Sequence, residues 1–297
     1  CYLLAANQYS KIRMGESAAI DPMGVVTASA GEGELVFPVY LDSERLREVR
    51  EKLPSFEDRR EELYGNLQGN TTNRGQSEIW EAIEERHTVR QFTDEAVEEE
   101  VLDALQERIR ALNAEFGLKL SLHANEELQL WPGMTLFFSS GVENFILLAG
   151  PHGSKAAERV GYCGANLLLL AQQEGINTWW IGGTYSMKKV EGEAGGELYG
   201  VIAFGYGKEE GKPHRSKDAM RVSRYEGSEP EWFSRGVEAA LLAPTAMNKQ
   251  AFMITGKDAV VQVSYKAGAF SDVDRGIIKY FFEQGAGKEN FRFADAE

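Results

Sequence analysis

The chain has only two cysteines, Cys1 and Cys163, among its 297 residues. Two cysteines cannot form a disulfide framework or a cysteine-based zinc site, so a reducing, cytoplasmic setting is expected. The 4 histidines show no metal-ligand spacing, and no metal is predicted. Cys163 lies in an apolar helical segment, and neither it nor any serine falls in a recognisable nucleophile motif.

Basic residues and long apolar runs are also scarce. Lys and Arg number 32 against 46 Asp and Glu, a formal net charge of -14. This acidity argues against nucleic acid or an anionic membrane as a partner, since phosphate contacts need Lys or Arg. No apolar run has membrane-spanning length. The chain begins with cysteine in place of methionine, which leaves open a missing upstream segment or a lipidated first cysteine.

The remaining composition is that of a globular protein, with 43% hydrophobic residues and enough length for a large core. A Gly, Asn and Thr-rich stretch at residues 65–76 reads as a linker, so residues 1–77 form an N-terminal extension of unknown role. From residue 78 onward, helices alternate with strand-like runs, which predicts an α+β fold. A helix is predicted from Thr93 or Asp94 to about Gly117, with Val97, Val101, Leu105, Ile109 and Leu112 on its buried face.

Four stretches carry residues suited to ligand binding. In "ERHTVRQF", Arg86, Thr88 and Arg90 alternate in an extended segment and point the same way, so two guanidiniums flank a hydroxyl. Forked guanidinium donors suit a phosphate or a carboxylate. The alternative is a solvated charged turn.

The second stretch is "KPHRSK", which places Arg215 and Lys217 after an apolar strand in an otherwise acidic chain. It is a candidate anion site or a chance basic surface loop. The third is "NTWWIGGTY", in which two tryptophans precede Ile181, Gly182 and Gly183. This pattern suits a flat ring lying against exposed N–H groups, or else an ordinary core strand and turn.

The fourth stretch is "LLAPTAMNKQAF", near the end of the chain. Pro244 fixes the backbone after a helix, Thr245 offers a hydroxyl, and the Asn248 amide carries donor and acceptor together. Such a side chain can read a uracil-like edge. A plain helix C-terminus and turn is the alternative.

In this order, the four stretches resemble the FMN-dependent nitroreductase family. "AIEERHTVRQF" is similar to the family's opening helix and Arg-x-Ser/Thr-x-Arg/Lys flavin grip, "GYCGANLLLLAQQEGINTWWIGG" to its central helix and loop, and "GVIAFGYG" with "HRSK" to its last strand and basic phosphate contact. "APTAMNKQAF" is similar to the family's Ala-Pro-Ser-x-x-Asn-x-Gln-Pro-Trp loop, with "KQAF" where Gln-Pro-Trp is usual. The resemblance implies a nitroreductase-like fold with a central, mostly antiparallel sheet flanked by helices.

The Pro-Thr-Asn loop lies later in the chain than in a typical member. The family normally works as an intertwined homodimer in which one subunit grips the phosphate and the other closes over the ring. Here residues 78–228 look like a first half with the grip, and residues 229–297 like a shortened second half with the loop. The resemblance therefore implies a single-chain, monomeric branch with internal pseudo-two-fold symmetry and one flavin site per chain.

The resemblance also implies residue roles. Arg86, Arg215 and Lys217 would hold the FMN phosphate, with Thr88 on phosphate or ribityl oxygens. Arg90 would lie at the N1/O2 end of the isoalloxazine, where positive charge stabilises the reduced anion. Backbone N–H groups of Ile181, Gly182 and Gly183 would lie near N5. Pro244, Thr245 and Asn248 would meet the ring and its pyrimidine edge.

The expected function is an FMN-dependent oxidoreductase that takes a hydride from NADH or NADPH and reduces an aromatic nitro compound, a quinone or a similar small-molecule acceptor. No side chain is assigned as catalytic, since the flavin carries the chemistry. Two alternatives stay open. One is a flavin-dependent dehalogenase or dehydrogenase on the same fold, and the other is a degenerate, non-catalytic flavin-binding or ligand-binding protein.

Overall fold

The computed structural model describes residues 3–5, 17–20, 26–30, 78–126, 128, 142–183 and 195–294. The chain divides into two compact units, residues 1–69 and 70–297. In the first unit, β1 (Leu3–Ala5), β2 (Ser17–Ile20) and β3 (Val26–Ala30) form a three-stranded antiparallel sheet. The linker predicted at residues 65–76 lies outside the described residues.

The second unit contains a four-stranded antiparallel sheet in the order β4-β5-β7-β6. Its strands are β4 (Ser121–His123), β5 (Phe145–Gly150), β6 (Asn177–Ile181) and β7 (Glu197–Gly205). Every residue of β5 is buried. Both faces of this sheet are covered, which explains why its central strands read as unbroken apolar runs in place of an alternating pattern.

The first helix, α1 (residues 78–85), places Ile83 in a different core. The next two, α2 (Glu99–Phe116) and α3 (Ser154–Gln173), cover one face of this sheet. The predicted start of α2 at Thr93 or Asp94 is wrong, because the helix begins after Glu98, and the Thr93 hydroxyl instead accepts the Glu95 N–H at 3.3 Å in a local turn. The five apolar residues predicted for its inner face are all buried.

The last part of the chain forms a second sheet in the order β11-β10-β9-β8. A short helix, α4 (Ala219–Val222), precedes β8 (Ser223–Tyr225), and α5 (Glu231–Leu242) follows it. Then come β9 (Phe252–Lys257), β10 (Val260–Tyr265), α6 (Ser271–Ala286) and β11 (Arg292–Phe293). Since β8 pairs with β9, this sheet includes a strand from before the predicted boundary at residue 228.

Glycines allow α3 and α6 to cross at close range. A Cβ on Gly161 would lie 2.0 Å from the Val273 carbonyl oxygen, and one on Gly276 would lie 1.9 Å from the Glu158 carbonyl oxygen. Only glycine permits such backbone contact. This crossing joins the core around the first sheet to the core formed by α5, α6, β9 and β10. The α+β class and the largely antiparallel first sheet confirm the predicted fold class.

Candidate functional site

The segment that follows α1 lies along the outer edge of β6. Thr88 forms an isolated parallel bridge with Thr178, and the Val89 N–H donates to the Thr178 carbonyl at 3.1 Å. The extended backbone alternates its side chains, so Val89 enters the core between Thr88 and Arg90. This pairing fixes the Arg-x-Thr-x-Arg stretch beside the tryptophans of β6.

Arg86 is the buried charge of this region. Its residue is only 3% exposed, and its Nε has no hydrogen-bond partner among the described residues. Burial lowers the pKa of the Arg86 guanidinium from the usual 12.5 to about 10. The buried Thr178 hydroxyl likewise lacks a partner in the described part of the chain. Buried polar groups are normally hydrogen-bonded, so a buried guanidinium whose Nε is unpartnered within the described residues indicates a site for an anionic ligand.

Arg86 lines a cavity of about 930 Å³. Nine of the predicted flavin-contact residues line the same cavity: Arg86, Thr88, Arg90, Ile181, Gly182, Gly183, Pro244, Thr245 and Asn248. They come from stretches far apart in the sequence. Arg90 is exposed, and its guanidinium lies 5.7 Å from the centre of the Trp179 ring, a cation–π distance.

Arg215 and Lys217 are not among the lining residues. The Lys217 ammonium donates to the Gln250 carbonyl at 2.8 Å, and the Arg215 carbonyl accepts from the Asn248 amide at 2.9 Å. Lys212 and His214, from the same basic stretch, do line the cavity. The segment reaches the site because Gly211 packs so tightly against His87 that a Cβ would lie 2.4 Å from the His87 Cβ.

The Ile-Gly-Gly turn at the end of β6 lies beneath an aromatic ring. A Cβ on Gly182 would lie 3.1 Å from the Phe270 ring, so the glycine allows Phe270 to approach the backbone. Phe270 is 38% exposed, and it lines the cavity together with Met247, which is 87% exposed. These two side chains add apolar surface to the wall of the cavity.

The loop after α5 ends in a 3₁₀ turn, Ala246–Asn248. Asp274 in α6 is 4% exposed and lines the cavity beside this turn. Burial raises the pKa of the Asp274 carboxyl, and hydrogen bonds from Tyr265 and from the Ala246 N–H act in the opposite direction. Sequence reasoning missed Asp274 because its motif, "DVDRG", indicates only the first turn of a helix.

The described ranges show no cluster of His, Cys, Asp and Glu side chains placed to hold a metal ion. Nor does any helix in those ranges combine the length and apolar character needed to cross a bilayer. Three observations at this cavity point to a ligand: a buried guanidinium whose Nε is unpartnered among the described residues, an aromatic and glycine-rich wall, and an amide-bearing loop.

The arrangement of these sheets and helices is the nitroreductase fold. The family described as "Putative TM nitroreductase" matches residues 78–286, and the chain belongs to it. The solved structure of a protein of the same description from Thermotoga maritima has 20% identity and a TM-score of 0.51, covering 71% of this chain and 84% of that one. An FMN-dependent nitroreductase from Clostridium difficile has 17% identity and a TM-score of 0.38, covering 45% of this chain and 90% of that one.

The curated proteins that match part of the chain include deaminated glutathione amidases. The deaminated glutathione amidase of Homo sapiens is 39% identical over 72 residues, which is 23% of this chain and 22% of the amidase. The rat enzyme gives a similar match at 38% identity over 72 residues. The chain thus spans about a fifth of the length of the curated relatives it matches.

Proposed function

We propose that this chain is an FMN-dependent oxidoreductase that uses NADH or NADPH to reduce an aromatic nitro compound, a quinone or a similar acceptor. One observation carries the proposal: buried Arg86, whose Nε has no hydrogen-bond partner among the described residues, lines the same cavity as the amide-bearing loop around Asn248. A phosphate fits the first group, and the pyrimidine edge of an isoalloxazine fits the second.

The cavity has a volume typical of a small-molecule site. Small-molecule sites usually measure roughly 300–1,000 Å³. At about 930 Å³, this cavity lies near the upper end of that range. Bound FMN would supply the redox chemistry, accepting a hydride from the nicotinamide and passing electrons to the acceptor.

The side chains would bind and tune the flavin. Arg86 would hold the phosphate, and Lys212 supplies a further cation that lines the cavity. We assign Lys212 to the phosphate because the predicted Arg215 and Lys217 do not line the cavity. Arg90, held beside Trp179, would place positive charge at the N1/O2 end of the ring, and Thr88 would contact phosphate or ribityl oxygens.

Two other stretches of the cavity lining would position the ring. The backbone N–H groups of Ile181, Gly182 and Gly183 would lie near N5, while Pro244, Thr245 and Asn248 would meet the pyrimidine edge. Phe270 and Met247 would exclude water from the reacting face, since both add apolar surface to the cavity wall.

Anaerobic reconstitution tests this function. The purified protein is mixed with FMN, freed of excess flavin and treated with NADH and NADPH in turn, and then with a panel of nitroaromatic and quinone acceptors. We expect retained flavin absorbance that is bleached by a nicotinamide and restored by an acceptor. Retained flavin that no nicotinamide bleaches supports a flavin-binding protein without this activity, and a protein that retains no flavin contradicts the proposal.

A further inference from the structure

The loop between α5 and β9 has a backbone that side-chain-bearing residues rarely adopt. Met247, Asn248 and Gln250 have positive φ values of 54°, 50° and 42°. The left-handed region is disfavoured for residues with a Cβ, so such a loop persists only where surrounding contacts hold it. This same loop contributes five residues, 244–248, to the cavity wall.

One set of contacts holds the C-terminal side of the loop. The buried Gln250 side chain donates to the Leu241 carbonyl at 2.9 Å and accepts the Lys217 N–H at 2.7 Å. The Gln250 N–H donates to the Thr245 hydroxyl at 3.2 Å. These bonds connect the loop to α5 and to the basic segment after β7.

Asp274 holds the N-terminal side of the loop. Both of its carboxylate oxygens lie 3.1 Å from the Ala246 nitrogen, which donates to them. The Tyr265 hydroxyl donates to Oδ2 at 2.6 Å, so β10 also holds the carboxylate in place. An acceptor-only pattern suits an ionised carboxylate, and the N-terminal turn of α6 stabilises negative charge there.

We propose that Asp274 is a positioning residue of the flavin site, which holds the 244–248 loop on the ring and places a negative charge that lowers the reduction potential of the bound flavin. This inference rests on the proposed function. Asp274, a residue of α6, acts through its hydrogen bond from the Ala246 N–H. Tyr265 orients the Asp274 carboxylate. Asp274 and Arg90 line the same cavity with charges of opposite sign. Their charges shift the reduction potential of the bound flavin in opposite directions.

The variants Asp274→Asn and Asp274→Ala test the inference, with Tyr265→Phe as a third. Asparagine keeps the volume and one acceptor for the Ala246 N–H, whereas alanine removes both acceptors. The matched control is Asp272→Asn, two residues earlier in α6, where the carboxylate pairs with Arg275 at 3.4 Å. Circular dichroism of each variant verifies its fold.

The first measurement is amide hydrogen exchange of the peptide covering residues 244–250, in the flavin-free protein. We expect faster exchange in Asp274→Ala, a smaller effect in Asp274→Asn and Tyr265→Phe, and no change in Asp272→Asn.

The second measurement is of FMN affinity and the midpoint potential of bound FMN. We expect Asp274→Ala to weaken FMN binding about tenfold, as for loss of one charge-assisted hydrogen bond. Asp274→Asn should bind FMN nearly as well as wild type but at a more positive potential.

The outcomes separate this inference from the proposed function. Wild-type protein that binds FMN, with Asp274 variants of unchanged affinity and potential, overturns the positioning role and leaves the proposed function standing. Faster loop exchange without any change in FMN binding or potential also overturns it. If the wild-type protein itself binds no FMN, the proposed function fails and this inference fails with it.

Discussion

At the scale of single residues, the candidate site depends on the buried charge of Arg86. Arg86 is almost fully buried, and its Nε lacks a hydrogen bond within the described residues. Burial of an unpaired charge is unfavourable, which the lowered pKa of this guanidinium reflects. An anionic ligand would supply the missing partner. Binding of that ligand should therefore be sensitive to this one side chain.

Replacing Arg86 by alanine should weaken FMN binding about 10- to 150-fold, the effect of losing a charged hydrogen bond. Arg86→Lys should recover part of the affinity, because a lysine keeps the charge without the forked donors. Fluorescence titration of FMN measures both. The control is Arg110→Ala, an exposed position on α2, which should bind FMN as wild type does. Equal affinity in all these variants would remove Arg86 from the phosphate site.

Arg90 gives a different prediction because it is exposed and lies over Trp179. If its charge is next to the pyrimidine end of the flavin, Arg90→Gln should make the midpoint potential of bound FMN more negative, while the FMN stays bound. Spectroelectrochemical titration measures this shift. An unchanged or more positive potential would place the Arg90 charge away from the ring.

At the scale of elements, the crossing of α3 and α6 joins the core around the first sheet to the core formed by α5, α6, β9 and β10. The sequence predicts α3, since its segment is strongly apolar. The sequence does not predict that Gly161 and Gly276 are the contact points between the helices. A glycine within a helix can equally be a residue that lowers helix propensity and contacts nothing. Only the crossing geometry identifies their role.

Gly161→Ala and Gly276→Ala should each destabilise the protein. The added Cβ would meet backbone oxygen at 2.0 Å and 1.9 Å, and overpacking of this kind costs about 1–3 kcal/mol or more. Thermal melts followed by circular dichroism should show a midpoint about 2–12 °C lower. Gly268→Ala is the control, since the nearest atom to its Cβ is 4.0 Å away. Melting midpoints equal to that of the control would contradict the close crossing.

Much of the element order could be predicted from the sequence, and the site only in part. Alternating Arg86, Thr88 and Arg90 indicated an extended segment, and the structure pairs Thr88 with Thr178 on a strand edge. The short strand β8 was missed because "SRY" in a polar stretch carries no apolar pattern. Asp274 and Phe270 were missed because their proximity to the cavity depends on how α6 packs, which local spacing does not encode.

At the scale of the whole molecule, the cavity lies within the second unit and is lined by residues from position 86 to position 277. Arg86 and the loop that carries Asn248 belong to one chain and line one cavity. If FMN binds in that cavity, no second copy of the chain is needed to complete its site.

The protein should therefore be monomeric, with one FMN per chain. Light scattering coupled to size-exclusion chromatography gives the mass in solution, and flavin absorbance of the same peak gives the stoichiometry. We expect a monomer that carries one flavin. A dimer that holds two flavins and loses both on dissociation would show that the site needs residues from a second chain.

A crystal structure of the protein with FMN bound tests most directly whether Arg86 and the loop that carries Asn248 hold one flavin in the same cavity. We expect the phosphate within hydrogen-bond distance of the Arg86 guanidinium and the isoalloxazine between the Ile181–Gly183 backbone and the loop that carries Asn248. Flavin density in another place, or a ring that contacts no residue of 244–248, would contradict it.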